Sequence, residues 1–75
     1  MLELTLDLHG KTHPEAAEEV KASLLSASSN SFETHIITGN SDAMRKIVTD
    51  ICEEHKFDYY VPYYNTGMII VTYFK

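Results

Sequence analysis

Residues 2 to 9 read Leu-Glu-Leu-Thr-Leu-Asp-Leu-His, with leucine at every even position and Glu3, Thr5, Asp7 and His9 at the odd ones. Strict period-two alternation marks a strand with one buried face. Gly10 ends it, and Thr12-His13-Pro14-Glu15 opens a helix: the Thr12 hydroxyl is placed to accept from the Glu15 amide while the Glu15 carboxylate reaches back, a capping box. Pro14 is harmless in a first helical turn. A strand that passes straight into a helix returns to its sheet by a right-handed crossover, which sets the next strand parallel beside the first.

The remaining pattern supplies that next strand and more. Ala16, Ala17, Val20, Leu24 and Ala27 follow at helical spacing until the Ser26–Ser31 segment with Asn30 stops the helix. Glu15, Glu18, Glu19 and Lys21 line its solvated face. Residues 33–38 read as a second strand broken at Gly39, and a second helix begins near Asp42, with Met44, Ile47, Val48, Ile51 and Cys52 as its apolar stripe. Cys52 on that stripe is a core residue. Residues 57–64 read as a third strand with Pro62 inside it, and since proline cannot donate to a ladder, this strand belongs at an edge. The turn Asn65-Thr66-Gly67 leads into the nearly continuous apolar run Met68–Phe74, which belongs in the interior of the sheet.

The expected architecture is therefore α/β, an α+β two-layer sandwich in the order β-α-β-α-β-β. Its four-stranded mixed sheet carries two helices on one face, and residues 1–75 form a single domain. The last strand pairs antiparallel with the edge strand through its hairpin. The opposite sheet face has no helix to cover it. It would present Glu3, Thr5, Asp7 and alternate residues of the last strand, whose apolar side chains must either sit in water or meet a partner, a second copy included.

Length and charge narrow the function classes. A chain of 75 residues buries only about 60% of its unfolded surface, so a binding site is a surface notch rather than an enclosed cofactor cavity. No apolar stretch approaches the roughly 18 residues that cross a bilayer, so no membrane partner is expected. A lone cysteine makes no internal disulfide, and the start Met-Leu-Glu-Leu lacks the basic and apolar segments of a secretory signal, so a cytoplasmic location is expected. Six basic residues against eleven acidic ones give a net charge of −5. That balance opposes tight non-specific phosphate binding, which draws on clustered lysine and arginine.

In parallel sheets, sites form beyond the carboxyl ends of neighbouring strands, where the loops entering the helices gather with the helix amino termini. Two segments qualify: Asp7-Leu8-His9-Gly10 and Thr38-Gly39-Asn40-Ser41. Alternation puts Asp7 and His9 on one side of their strand, where a carboxylate can steer or charge an imidazole. Gly39 permits close backbone approach, and the following helix start offers free amides to an anion such as phosphate. A histidine beside an anion cradle suits phosphodiester cleavage, with the imidazole as general acid or base. The plainer alternative is that Asp7 hydrogen-bonds a neighbouring loop and Gly39 is ordinary turn chemistry.

The segments Leu6-Asp7-Leu8-His9-Gly10, Thr12-x-x-Glu15-Ala16 and Ile36-Ile37-Thr38-Gly39, with the helix Ala43-Met44-Arg45-Lys46-Ile47-Val48, resemble the Smr (small MutS-related) domain. The resemblance spans nearly the whole chain, and the Leu-Asp-Leu-His-Gly segment is its most specific part. It implies a fold like the C-terminal domain of a bacterial translation initiation factor, whose last strand lies inside the sheet. It implies nucleic acid, DNA or RNA, as ligand, since members are described as nicking endonucleases, as RNA-binding or RNA-cleaving modules, or as appendages of larger proteins. Asp7 and His9 match the first motif and are the implied catalytic pair. Thr38 and Gly39 match the start of the second, which usually continues with a basic residue and a glycine. Here Asn40 and Ser41 stand at those positions and the loop is one residue shorter. The implied phosphate contacts are then Gly10, Lys11, Thr38, Gly39, Asn40, Ser41 and Arg45, with Lys11 and Arg45 compensating for the missing cation and Asp42 opposing them. The alternative function is a non-catalytic module that binds nucleic acid or protein.

No dedicated metal site is expected. His13, His35 and His55 lie in different elements without ligand spacing, although a loosely held magnesium needs only one or two carboxylates, and Asp7 supplies one. Tyr59, Tyr60, Tyr63, Tyr64 and Tyr73 suit base stacking on an open sheet, and strand propensity accounts for them equally. Alternation through a long third strand would send Tyr59 and Tyr63 to one face and Tyr60 and Tyr64 to the other.

Overall fold

The computed structural model describes residues 2–75, in the element order β1 (Leu2–Asp7), α1 (His13–Ala27), β2 (Phe32–Ile37), α2 (Asp42–Glu54), β3 (Asp58–Tyr60) and β4 (Met68–Tyr73). They build an α/β two-layer sandwich, a four-stranded mixed sheet in the order β1-β2-β4-β3 with two helices on one face. β1 and β2 are parallel, with Asp7 opposite Ile37, while β4 runs antiparallel to both β2 and β3. The apolar run of β4 thus occupies an interior position, as its composition requires.

Local chemistry accounts for the helix ends. The Thr12 hydroxyl accepts from the Glu15 amide at 3.3 Å and the Glu15 carboxylate accepts from the Thr12 amide at 2.9 Å, closing the capping box. That backbone bond, helped by one from the Thr12 hydroxyl, holds the Glu15 carboxyl below its ordinary range. Ser41 caps α2 by accepting from the Met44 amide at 3.1 Å. At the other end of α2 the Phe57 amide donates to the Cys52 carbonyl (2.8 Å) and the Lys56 amide to that of Glu53 (3.3 Å), the paired bonds of a Schellman motif. Lys56 consequently sits at φ 61, a left-handed conformation that costs a residue bearing Cβ about 1 kcal/mol. Lys56→Gly is expected to raise stability by about that amount, seen as a melting temperature about 4–8 °C higher; an unchanged or lower temperature would contradict it.

The core lies between sheet and helices. Ala16, Val20, Leu24 and Ala27 of α1 and Met44, Val48, Ile51 and Cys52 of α2 are buried against Phe32, Ile36, Ile69 and Val71. Burial pushes the Cys52 thiol up to about 12, so it remains a neutral packing group. On β2 the helix-facing Thr34 is fully buried, and its hydroxyl finds no partner among the described residues.

Two expectations change. The third strand is only Asp58–Tyr60, and Pro62 stands beyond it, buried, because the chain leaves the ladder before the residue that lacks an N–H. Tyr63 and Tyr64 therefore do not alternate across a strand. They share an exposed turn. The uncovered sheet face also differs in detail. It carries Glu3, Thr5, Asp7, Glu33, His35 and Asp58, but its apolar members Met68 and Ile70 are buried within the chain, flanked in register by Ile37, His35 and Tyr60.

Candidate nucleic-acid interface

Because β1, β2 and β3 all point one way and β4 the other, three connections leave the sheet on the same rim: residues 8–12, 38–41 and 61–67. The first two are the segments singled out from sequence. Parallel register continues past the strands, with the Leu8 amide donating to the Ile37 carbonyl at 3.0 Å, so the His9–Gly10 turn and the Thr38–Ser41 turn are neighbours. The sequence marks the third connection only as a hairpin. Its place beside the others follows from β4 lying next to β2.

The first turn is tight. The Lys11 amide donates to the Leu8 carbonyl at 3.1 Å, and Gly10 occupies φ 79 at the third position, where a type II turn requires glycine. One Asp7 carboxylate oxygen accepts from the His9 backbone amide at 2.9 Å, an Asx turn. The carboxylate thus holds the turn on which His9 sits. The imidazole is exposed and makes no hydrogen bond or ion pair among the described residues.

The second turn is closed from the third connection. The Gly67 carbonyl accepts from the Thr38 amide (2.8 Å), the Gly39 amide (2.9 Å) and the Thr38 hydroxyl (3.2 Å). Gly39 stands at φ 65, and a Cβ on Gly67 would lie 3.5 Å from its Cα, so the two glycine backbones nearly touch. Giving the Gly39 amide to a phosphate would trade a neutral bond of about 1 kcal/mol net for a charge-assisted one roughly twice as strong. In this turn the amides of Asn40, Ser41, Asp42 and Ala43, at the positive end of α2, have no acceptor among the described residues.

Neither nearby cation is free. Lys11 pairs with Glu19 at 3.0 Å, and that hydrogen bond raises the ammonium above its ordinary value. Arg45 donates to Asp42 at 2.7 Å and to the Thr66 carbonyl at 2.9 Å, bracing α2 against the third connection. A surface notch of about 330 Å³ beside Lys11 is lined by Glu15, Glu18 and Glu19, which oppose an anion.

The other histidines are accounted for. His35 bonds Glu33 at 2.8 Å on the open sheet face, His55 caps α2, and His13 is exposed at the start of α1. Among the described residues no group of three metal-ligating side chains occurs. Asp7 has one carboxylate oxygen engaged in its turn, so a magnesium ion at this rim would rest mainly on water and ligand oxygens, and the residues here do not form a cage for it. No helix among the described residues is long and apolar enough to cross a membrane.

No family model matches the chain, and no curated protein or solved structure matches it either.

Proposed function

We propose that this chain is an Smr-like, nucleic-acid-acting domain whose working edge is the rim where β1 and β2 end. His9 meets the phosphodiester as general acid or base, and Asp7 positions it through the turn. The free amides from Asn40 to Ala43, with the Ser41 cap between them, take the phosphate. The observation that supports this most is the parallel register of Asp7 with Ile37, which makes the turn carrying the exposed His9 a neighbour of the turn that opens α2. DNA and RNA are both substrates of suitable chemistry.

A second reading, a module that binds without cleaving, draws on specific contacts. Asp7 engages the His9 backbone, Gly67 occupies the Thr38 and Gly39 amides, and Lys11 and Arg45 are each held by a carboxylate. These contacts leave the rim little positive field.

Releasing one cation tests the shared claim that the rim meets phosphate. Glu19→Ala frees Lys11 at an intermediate-exposure helix position where alanine is well tolerated. Its affinity for a labelled oligonucleotide is expected to rise several-fold at low salt. The logarithmic salt slope should steepen by about 0.7–0.9, the increment for one added phosphate contact. Failure of both proteins to bind any nucleic acid would contradict the reading.

A further inference from the structure

The third connection of the rim carries two aromatic rings that contribute nothing to the core. Tyr63 is 95% exposed and Tyr64 67% exposed, with ring centroids 5.6 Å apart and planes at 82°. By contrast Tyr59 and Tyr73 pack against the buried cluster, where strand propensity and burial explain them. The turn bearing Tyr63 and Tyr64 is firmly held. Pro62 is buried, the Asn65 amide donates to the Pro62 carbonyl at 3.1 Å, and the Gly67 amide donates to the Asn65 side chain at 3.0 Å. The Thr66 and Gly67 carbonyls are then tied to Arg45 and to the Thr38-Gly39 turn. Rings presented on a braced turn lose little freedom when they meet a ligand.

We infer that Tyr63 and Tyr64 form a stacking platform for unpaired nucleobases, so that the domain takes single-stranded rather than duplex nucleic acid. This inference rests on the nucleic-acid reading above and names its ligand class. With a net charge of −5 and both rim cations paired, phosphate contacts supply little binding energy. Stacking on aromatic side chains is worth about five- to 150-fold in affinity per base and needs no positive charge. Glu3, Glu33 and Asp58 on the uncovered sheet face repel the sugar-phosphate chain and confine it to the rim. The ends of β2 and β3 are separated by two strand spacings, about 10 Å, a span that a few nucleotides cover. A strand whose phosphate sits at Asn40–Ala43 therefore brings a neighbouring base within reach of the tyrosines. In a duplex that base is buried in its stack.

The test is fluorescence anisotropy with oligonucleotides about eight nucleotides long, single-stranded and annealed to their complements, at fixed salt. The single strand is expected to bind at least about tenfold more tightly than the duplex. The double variant Tyr63→Ala, Tyr64→Ala, both at exposed positions, is expected to lose at least about tenfold in single-strand affinity with an unchanged salt slope. Tyr63→Phe with Tyr64→Phe, which keeps the ring faces, should stay within about threefold of the wild type. Equal or tighter binding of duplex, or full affinity in the double alanine variant, would overturn the platform. Asn40→Glu separates this from the rim reading. If it abolishes binding while the alanine pair does not, the phosphate contact at Asn40–Ala43 stands and the platform falls; if the alanine pair abolishes binding and Asn40→Glu does not, the platform stands and that phosphate contact falls. A wild type that binds neither probe overturns both.

Discussion

Phe32→Ala is expected to destabilise the protein by about 3–5 kcal/mol, the usual cost of removing a buried phenyl ring. Phe32 is fully buried at the start of β2, with the Phe57 ring 5.4 Å away at 74° and the Tyr73 ring 5.6 Å away. Phe57 and Tyr73 also meet edge to face at 5.3 Å, so three rings join the start of β2, the entry to β3 and the end of β4. Deleting the Phe32 ring forfeits its burial and leaves a cavity that two rigid neighbours fill poorly, besides the ring-pair contribution of about 0.5–1.5 kcal/mol. A chain of 75 residues has a total stability of only about 4–11 kcal/mol. The variant should therefore be largely unfolded or melt at least about 12 °C below the wild type by circular dichroism. Phe32→Leu should cost much less. A loss below about 1 kcal/mol for the alanine variant would show that the three-ring cluster does not anchor this end of the core.

His9→Ala is expected to reduce phosphodiester cleavage by about 10²–10⁴-fold, the range for removing a general acid or base, while binding stays within a few-fold. His9 is exposed on the turn after β1, so its removal should leave the fold intact. The Asp7 series sharpens the mechanism. Because the carboxylate accepts from the His9 amide, Asp7→Asn keeps an acceptor in the same place, whereas Asp7→Ala releases the turn. Retained cleavage in Asp7→Asn with loss in Asp7→Ala assigns Asp7 a positioning role, and equal loss in both assigns its charge to the chemistry. Cleavage of single-stranded DNA and of single-stranded RNA, each with His13→Ala as a control at the exposed start of α1, are the assays. Cleavage unchanged in His9→Ala would contradict the catalytic reading and leave the binding module.

Much of the fold was legible in the residues because local and global signals agree. The alternation of β1, the Thr12–Glu15 capping box and the stripes of both helices each report a single element. The edge place of β3 and the interior place of β4 followed from Pro62 and from an apolar run, although Pro62 proved to lie past the strand. Lys56 in a left-handed conformation gave no warning, because glycine is the residue that ordinarily marks such a cap. At the rim, the sequence pointed to the two turns but not to what occupies them. Gly67 and Thr66 reach the Thr38-Gly39 turn and Arg45 from more than twenty positions away, through a strand pairing that no local pattern encodes. Lys11 and Glu19 are separated by two turns of helix and the cap before it, a pairing invisible to spacing rules built on one helix face. The exposure of Tyr63 and Tyr64 was hidden for the opposite reason: strand propensity extended β3 over them.

The most direct measurement is a titration of the isotope-labelled protein with a short single-stranded oligonucleotide, followed by backbone amide chemical shifts. The largest changes are expected at His9–Lys11, at Asn40–Ala43 and at Tyr63–Gly67, three separate stretches that share one rim of the sheet. Changes confined to the uncovered sheet face around Glu3, Glu33 and Thr72, or to the acidic face of α1, would contradict a nucleic-acid site where the parallel strands end.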